Sequence, residues 1–423
     1  MTDGPADFSL TATQIRALEN QDFDHSVPGV VVWDFNHLLD RIGAQGIEVS
    51  PKHLLGLKYL KDLNQSLSRP QDVRLKRPMQ KSYPTLNGLC LLLRGSGLTY
   101  IDGTGGKYRL KADLAVLASW RSLHPAEQYF YLLETWLTRA REESIGESSL
   151  GAGEILLKVL GFLERFEQRE RLSFNTPHDI DMLRYYPGLH NLALLQSFGL
   201  VDIGIMPPAE GQGWRPTHAR LTAWGKALTG SLVVALKPDQ GSGRRRFLPP
   251  DRWLDPESAL NPWITAIKRH IPAWRRGLDL PEPEYRAGAH LFKVLLSPRC
   301  WRRIALRGSD TLDMMANTLL DAFAFDHDHL YQFSYQDRHG GRIEIYHPGM
   351  EGEFFHAKAD EVQIGELPLY PGMRIDFLFD FGDNWEFAIT VEDAENAPAI
   401  DKPTLLESHG EAPDQYPDYD EDE

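Results

Sequence analysis

The sequence predicts an α+β protein, with a mostly helical N-terminal region and a C-terminal domain that has a mixed or antiparallel sheet and one main helix. Up to about residue 283, apolar residues recur mainly at the spacing of amphipathic helices. From residue 288 onward they recur at every second position, which is typical of half-buried strands. The charge also changes: residues 214–307 carry 18 Lys and Arg against 7 Asp and Glu, whereas residues 308–423 carry 5 against 28.

Length and composition indicate a protein of several globular domains in a reducing compartment. A chain of 423 residues is long enough for two or three domains. Its two cysteines, Cys90 and Cys300, lack the spacing of a metal site, and a structural disulfide is not expected. The N-terminus lacks the features of a signal peptide, and no run of about 18 apolar residues occurs. We therefore expect a cytoplasmic protein with no membrane partner, no metal and no cofactor.

Composition divides the chain into six segments. They are a flexible N-terminus (1–25), a helical and winged-helix-like unit (26–123), a helical linker with a second such unit (124–235), a basic linker (236–284), a C-terminal domain (285–407) and an acidic, disordered tail (408–423). Gly, Pro and Ser content predicts the linker. The tail is predicted from the seven acidic residues among the last thirteen.

The N-terminal elements follow one another in an order that occurs twice. A leucine-rich helix ends at Gly-Leu, and then come a short strand, a loop with glycine, a second strand and a further helix. The first copy is centred on Gly97 and the second on Gly199, 102 residues later. Helix, strand, turn, strand and helix is the order of a winged helix. We therefore predict two winged-helix-like units, at about 50–122 and 177–232.

Winged helices bind DNA with one helix in the major groove, but they also serve as protein-interaction modules. The helix before Gly199 is mostly apolar. Only His190, Asn191, Gln196 and Ser197 are suited to contact base edges. This composition makes base readout by the second unit the less favoured interpretation.

Cations in the basic stretch 214–307 are the candidate nucleic-acid contacts, because Lys and Arg neutralise backbone phosphates. Those singled out are Arg215 and Arg220 on the second strand, Arg244, Arg245 and Arg246 in the linker, and Lys268 and Arg269 on a short basic helix. An alternative is that the acidic C-terminal domain docks on this stretch within the same molecule.

The C-terminal domain is predicted as two strands, one helix, two strands and a final hairpin. In the hairpin, residues 375–381 and 385–391 alternate apolar and polar around the turn "GDN". We expect Gly382 to supply a positive φ at this turn, with Asp380 and Asp383 at the tip. The DFG triplet of "FDFGDNWEF" does not indicate a kinase, because the chain lacks the glycine-rich loop and the other kinase motifs.

Three motifs together resemble the plasmid pRiA4b ORF-3-like family, over about residues 285–417. They are Trp301, Arg302 and Arg303 after a proline; His329 in "HLYQF"; and Asp380, Gly382, Asp383 and Trp385 in "DFGDNW". The resemblance implies a passenger of plasmids or transposons, and some members carry attached DNA-binding domains. Family members tend to have histidines where Ala316 and Phe387 stand here. If those histidines formed a site with His329, this chain keeps one of the three, which argues against catalysis.

The motif residues allow a binding and a structural interpretation. Arg302 and Arg303 beside Trp301 are suited to bind phosphate or stack on a base, but they are also suited to pair with Asp380 and Asp383. The run "DHDH" at 326–329 has metal-binding atoms, although four adjacent residues cannot all converge on one ion. An exposed loop is the favoured interpretation of this run.

The leading hypothesis is a non-catalytic, mobile-element-associated protein that binds DNA or RNA, or a protein partner that is itself associated with nucleic acid. One alternative is a protein-interaction scaffold without affinity for nucleic acid. A second alternative is a metal-dependent phosphodiesterase or resolvase-like enzyme that uses the aspartates of the hairpin tip.

Overall fold

The structure is a computed structural model, which describes residues 10–103, 107–147, 154–236, 256–281, 284–337, 340–351, 357–393 and 399–416. The chain forms two compact units. The first comprises Met1–Tyr100 and Leu110–Leu280, and the second comprises Ile101–Arg109 and Pro281–Glu423. Most of the described helices belong to the first unit and the largest sheet belongs to the second, which confirms the predicted α+β class.

Eleven of the described helices lie in the first unit. They are α1 (Ala12–Glu19), α2 (Val31–Ile42), α3 (Leu57–Gln65), α4 (Pro84–Gly95), α5 (Leu114–Arg121), α6 (Pro125–Glu134), α7 (Glu154–Glu164), α8 (Pro177–Tyr185), α9 (Leu189–Ser197), α10 (Ala223–Leu236) and α11 (Pro256–Lys268). A π-helical turn, Thr135–Arg139, follows α6 directly. None of the described helices is long and apolar enough to cross a bilayer.

Local sequence explains where several of these helices begin. Proline stands at the first position of α4, α6 and α8, where its missing N–H removes no intrahelical hydrogen bond. Ahead of α8, the Thr176 hydroxyl accepts from the backbone N–H of Asp179 (3.1 Å), and the Asp179 carboxylate accepts from that of Thr176 (2.9 Å). This reciprocal pair satisfies two N–H groups that the helix itself leaves unbonded.

Two three-stranded sheets accompany the helices. Their strands are β1 (Ile47–Glu48), β2 (Thr99–Asp102), β3 (Arg109–Ala112), β4 (Arg171–Ser173), β5 (Val201–Met206) and β6 (Arg215–Leu221). The strand orders are β1-β3-β2 and β4-β6-β5. The short first strand of each sheet was not visible in the sequence pattern.

The same order of elements therefore occurs twice: helix, strand, helix, helix, strand, strand, with the first strand paired to the third. We call α2 to β3 the first repeat (31–112) and α7 to β6 the second repeat (154–221). In each repeat the third helix, α4 or α9, leads directly into the last two strands.

The third helices of the two repeats pack against each other in the core. Every residue of α4 is buried, as are most residues of α9. At Gly88 the helices are so close that a Cβ atom would lie 2.7 Å from Leu194 Cγ and 3.1 Å from the His190 carbonyl oxygen. A side chain at this position would push the helices apart, so glycine is required for the contact.

A buried polar network supports this packing. The carboxylate of Glu142 lies 2.7 Å from His190 Nε2, accepts from the Asn191 amide at 3.0 Å, and pairs with Lys158 Nζ at 2.5 Å. Burial raises the pKa of Glu142, but the hydrogen bonds and charges of His190 and Lys158 outweigh it and leave the pKa below its usual value. The network holds α9 to the connection between the repeats.

The second unit is a seven-stranded antiparallel sheet with one main helix. In chain order its elements are β7 (Ala289–Ser297), β8 (Cys300–Arg307), α12 (Leu312–Phe323), β9 (Tyr331–Gln336), β10 (Arg342–Tyr346), β11 (Arg374–Phe379), β12 (Trp385–Asp393) and β13 (Thr404–His409). The strand order is β10-β9-β11-β12-β7-β8-β13. Alternate residues of these strands form one apolar core with Leu312, Met315, Ala316 and Leu319 of α12.

The predicted hairpin is present as β11 and β12, with Phe377 opposite Phe387 and Phe379 opposite Trp385. The expectation of a positive φ at Gly382 is wrong: among the tip residues it is Asp380 and Asn384 that adopt it, each at 55°. The Asp380 carboxylate accepts from the backbone N–H of Gly382 at 2.8 Å. This hydrogen bond helps to stabilise the left-handed backbone conformation of Asp380.

Candidate nucleic-acid interface

The polar residues of α9 are not sufficiently exposed to contact base edges. His190, Asn191 and Ser197 are buried, and Gln196 is half-buried. Asn191 bonds to Glu142 and accepts from the Trp136 indole at 2.9 Å. Because α4 is wholly buried as well, neither third helix has a free face that could enter a major groove.

The two predicted contacts on β6 lie on the sheet of the second repeat. Arg220 is exposed, lies directly opposite Arg171 of β4, and has the Asp202 carboxylate 3.5 Å away on its other side. Burial, together with the charges of Arg171 and Arg220, lowers the pKa of His218 below its usual value. Arg215 is half-buried and its guanidinium donates to the Gln212 side chain.

The other predicted contacts are not on this sheet. Lys268, at the C-terminal end of α11, has its ammonium 5.3 Å from the ring centroid of Trp274, and Arg269 beside it is exposed. Arg244, Arg245 and Arg246 lie outside the described residues. The seven predicted cations therefore do not form one described cluster.

A stronger cationic feature, which the sequence analysis missed, connects α3 to α4. We call residues 66–83 the basic segment. It carries five cations against one acid, Asp72, and all five are exposed: Arg69, Arg74, Lys76, Arg77 and Lys81. Arg74 pairs with Asp72 at 3.3 Å, whereas the other four form no ion pair with any described residue.

The basic segment has almost no regular secondary structure, yet buried amides hold its first half in place. The side chain of Asn64 exchanges two hydrogen bonds of 3.0 Å with the backbone of Gln71. Gln71 in turn accepts from the backbone N–H of Thr85 at 2.9 Å. The backbone N–H and the hydroxyl of Ser68 both donate to the buried carboxylate of Asp34, at 2.7 and 2.8 Å.

Its second half is fixed in the same way. Gln80 accepts from the backbone N–H of Leu55 at 2.8 Å and donates to Asn87 at 2.9 Å. These amides are buried and fully engaged, so loss of one bond would leave a desolvated polar group. The exposed cations therefore project from a backbone whose position is set by the core.

The second repeat meets the basic segment directly. The loop between β5 and β6 (207–214) places the backbone N–H of Gly211 2.5 Å from the carbonyl oxygen of Arg74. This loop leads into Arg215, whose guanidinium donates to Gln212 of the loop, so one predicted residue is bonded to the loop that contacts the segment. We call the basic segment, this loop and Arg215 the basic interface.

A groove of about 650 Å³ runs between α3 and the basic segment. Its lining combines apolar side chains, prolines and polar side chains: Lys61, Asn64, Gln65, Pro70, Gln71, Asp72, Val73, Leu75, Pro78 and Tyr83. The cations of the basic segment stand along the same stretch of chain.

The charge run "RLKRPMQK" (74–81) was the signal that could have revealed this feature. It was hidden because the first 213 residues together carry 22 Lys and Arg against 25 Asp and Glu. Averaging over so long a window cancels a local excess of positive charge against acids elsewhere.

In the second unit, Arg302 has a structural role. Its guanidinium is buried and donates to the carbonyl oxygens of Ala322 (2.7 Å), Trp301 (3.0 Å) and His409 (3.1 Å). It thereby satisfies a carbonyl in the last turn of α12 and joins that turn to the end of β13. The expected pairing of Arg302 with Asp380 or Asp383 is wrong.

The neighbours of Arg302 are also engaged within the sheet. Arg303 pairs with Glu392 at 2.6 Å and with Glu407, and not with the hairpin tip as expected. The Trp301 ring lies 4.2 Å from Lys293 Nζ and stacks on His409 at a centroid distance of 5.2 Å. These contacts across neighbouring strands give the motif a structural role, with partners other than the predicted aspartates.

The other motif residues meet at one end of the sheet. Asp380 is buried and lies 3.4 Å from His329 Nε2, while the backbone N–H of Asp383 donates to Asp380 at 3.4 Å. Trp385 packs on Phe325 with a centroid distance of 4.9 Å. The structure thus brings together the HLYQF and DFGDNW motifs, but not Arg302 and Arg303.

The histidine positions that the family resemblance marks are apolar here. Ala316 and Phe387 are buried in the core, whereas the His329 side chain is 40% exposed. Within the "DHDH" run, His327 instead contacts Asp321 at 3.0 Å. Among the described residues, no group of three or more His, Cys, Asp or Glu side chains is arranged to hold a metal ion.

The fold and these contacts define a two-unit protein: a helical unit with a basic interface, and an antiparallel α+β unit held together by its own motif residues. Residues 291–416 match the family described as "Plasmid pRiA4b ORF-3-like protein", which confirms the resemblance over the C-terminal region. A crystal structure of a protein of unknown function from Methanosarcina mazei Go1 is 18% identical, with 29% of this chain and 70% of that chain covered and a TM-score of 0.26. No curated protein matches the sequence.

Proposed function

We propose that the protein binds nucleic acid through the basic interface of its N-terminal unit, and that it contacts backbone phosphates instead of reading base edges in a duplex. One observation carries this proposal: Arg69, Lys76, Arg77 and Lys81 are exposed and form no ion pair with any described residue, on a segment that buried amides hold in place.

Fixed, unpaired cations favour a polyanionic partner. A phosphate backbone supplies the negative charge that these side chains lack within the described chain, and its binding releases the condensed counterions of the nucleic acid. The proposed affinity is therefore electrostatic and strongly dependent on salt.

The topology of the two repeats supports the same proposal. Three helices and three strands, with the first strand paired to the third, form the order of a winged helix, and winged helices often bind DNA. Their usual reading helix corresponds to α4 or α9, which are buried here. The basic segment precedes α4 and the 207–214 loop follows α9, so both parts of the interface flank the helices that would otherwise read DNA.

The C-terminal family match supports a setting in mobile genetic elements. Proteins similar to this region resemble passengers of plasmids and transposons, and an attached nucleic-acid-binding unit would fit such a setting. We propose no catalytic step for the motif residues, because Arg302 and Arg303 are engaged in holding the sheet and the helix end.

The test is charge reversal in the full chain. We expect the triple variant Arg69→Glu, Lys76→Glu, Arg77→Glu to bind labelled DNA or RNA more weakly in fluorescence anisotropy. The slope of log affinity against log salt should fall by about 0.9 for each duplex phosphate that the variant no longer neutralises. The residues are exposed, so the fold should be retained, and circular dichroism checks this.

A matched control distinguishes the loss of a specific binding site from a general effect of the more negative net charge. The variant Arg41→Glu, Arg165→Glu, Arg299→Glu changes the same number of exposed arginine or lysine side chains elsewhere. Its salt slope should stay close to that of the unmodified chain. If both variants weakened binding equally, the effect would be due to net charge and not to the basic interface. If the unmodified chain bound no nucleic acid at low salt, the proposal would be overturned.

A further inference from the structure

We infer that the groove between α3 and the basic segment accepts an unpaired nucleobase, so that single-stranded nucleic acid is the preferred ligand. This inference rests on the proposed function and adds the class of nucleic acid to it. The juxtaposition that supports it is a groove with room for a nucleobase, beside four exposed cations that form no ion pair with any described residue.

The size and lining of the groove suit a flat, partly polar ring. Its volume of about 650 Å³ is typical of sites for small organic ligands, which span about 300–1,000 Å³. Pro70 and Pro78, with the half-buried Val73 and Leu75, supply apolar surface against which a base can pack. Tyr83 adds an aromatic side chain that is only 5% exposed.

Polar side chains at the groove can bond to a base edge. The side chains of Lys61 and Gln65 are exposed, and neither forms a hydrogen bond with any described residue. Gln65 offers both a donor and an acceptor, and Lys61 offers donors. Asn64 and Gln71, by contrast, are engaged with each other, so they shape the groove instead of serving as ligands.

The cations determine how a strand would run past the groove. Proteins that bind single strands combine a positively charged track for the backbone with surfaces on which exposed bases pack. Here Arg69 stands at one end of the segment and Lys76, Arg77 and Lys81 toward the other, with the groove-lining residues between and among them. In a duplex the bases are stacked and paired, and the groove would stay unused.

The deciding measurement compares three probes on the full chain: a single-stranded oligonucleotide, its duplex, and a single strand of the same length with abasic sites throughout. The abasic strand keeps every phosphate and removes every base. We expect the normal strand to bind about tenfold more tightly than the abasic strand, in line with the effect of one or two packed bases. It should also bind more tightly than the duplex.

Photocrosslinking then locates the base. A strand carrying 4-thiothymidine should form crosslinks that peptide mapping places within residues 61–83. Equal affinity for normal and abasic strands, or crosslinks confined to other parts of the chain, would overturn the inference while leaving phosphate binding in place. If none of the three probes binds at low salt, the proposed function itself fails.

Discussion

The two repeats of the N-terminal region share their order of elements but differ in one connection. Between the second and third helices, the first repeat has residues 66–83, whereas the second has only residues 186–188. The long connection carries five cations, and the short one carries none. The cores are alike because each third helix buries its surface against the other, and the difference between the repeats lies in a surface connection.

This comparison shows that two repeats can share an order of helices and strands while a connection at their surface differs. Burial of α4 against α9 stabilises the unit but removes both helices from any contact with a ligand. The connecting segment is anchored by a few buried amides, but most of its side chains lie at the surface, where insertion and charge are tolerated. Long connections without regular structure in compact domains are often functional, as we propose for the basic segment.

The largest expected effect is a loss of stability when the buried polar network that supports the packing of α4 and α9 is removed. Glu142→Ala should lower the free energy of unfolding by about 3–5 kcal/mol, because it leaves Lys158 and His190 without their buried partner. Urea unfolding at pH 7 measures this. Since the pKa of Glu142 lies below its ordinary 4.5, its contribution should be present above that pH and decline as the pH falls further.

The exposed Glu170 offers a matched control for that change. Glu170→Ala should alter the free energy of unfolding by no more than about 0.5 kcal/mol. A loss below about 1 kcal/mol for Glu142→Ala would show that the network does not hold the repeats together.

A second prediction concerns Glu134, which ends α6 between the two repeats. Burial raises the pKa of Glu134 to about 7, against the lowering effect of the charges of Arg139 and Lys268. The folded chain then holds a proton that the unfolded chain releases between about pH 4.5 and about pH 7, so stability falls as the pH rises through that range.

The variant Glu134→Gln stays neutral and should not lose stability over this range. At pH 8 it should be more stable than the unmodified chain by an amount on the order of 3 kcal/mol, and at pH 5 the two should be nearly equal. Chemical unfolding at the two pH values tests this. If the free energies of unfolding of the variant and the unmodified chain differed by the same amount at both pH values, the proposed titration of Glu134 would be contradicted.

The smallest expected effect concerns α9, the third helix of the second repeat. Gln196 is the one residue among the four candidate base readers of α9 that is not buried. Gln196→Ala should leave nucleic-acid affinity unchanged and alter stability by no more than about 0.5 kcal/mol. A marked loss of affinity in anisotropy would mean that α9 does read nucleic acid, and the two repeats would then differ less than their connections indicate.

Part of the candidate site was predictable and part was not. Arg215 and Arg220 were predicted as contacts because they stand on a strand in a basic stretch; both lie on β6, but only Arg215 belongs to the basic interface. The basic segment was overlooked although its charge run is visible in the sequence. Its contact with the 207–214 loop joins residues more than 130 positions apart, and no local pattern reports such a contact.

The sequence by itself determined the α+β class, the existence of the hairpin around DFGDNW and the family that residues 291–416 match. These depend on hydrophobic periodicity, turn residues and short motifs, which act over a few neighbouring positions. Only the tertiary structure decided that α4 and α9 bury each other and that Arg302 bonds to carbonyl oxygens instead of to aspartates. Those outcomes depend on which distant surfaces meet, because a buried helix face or guanidinium takes the partners that packing brings within reach.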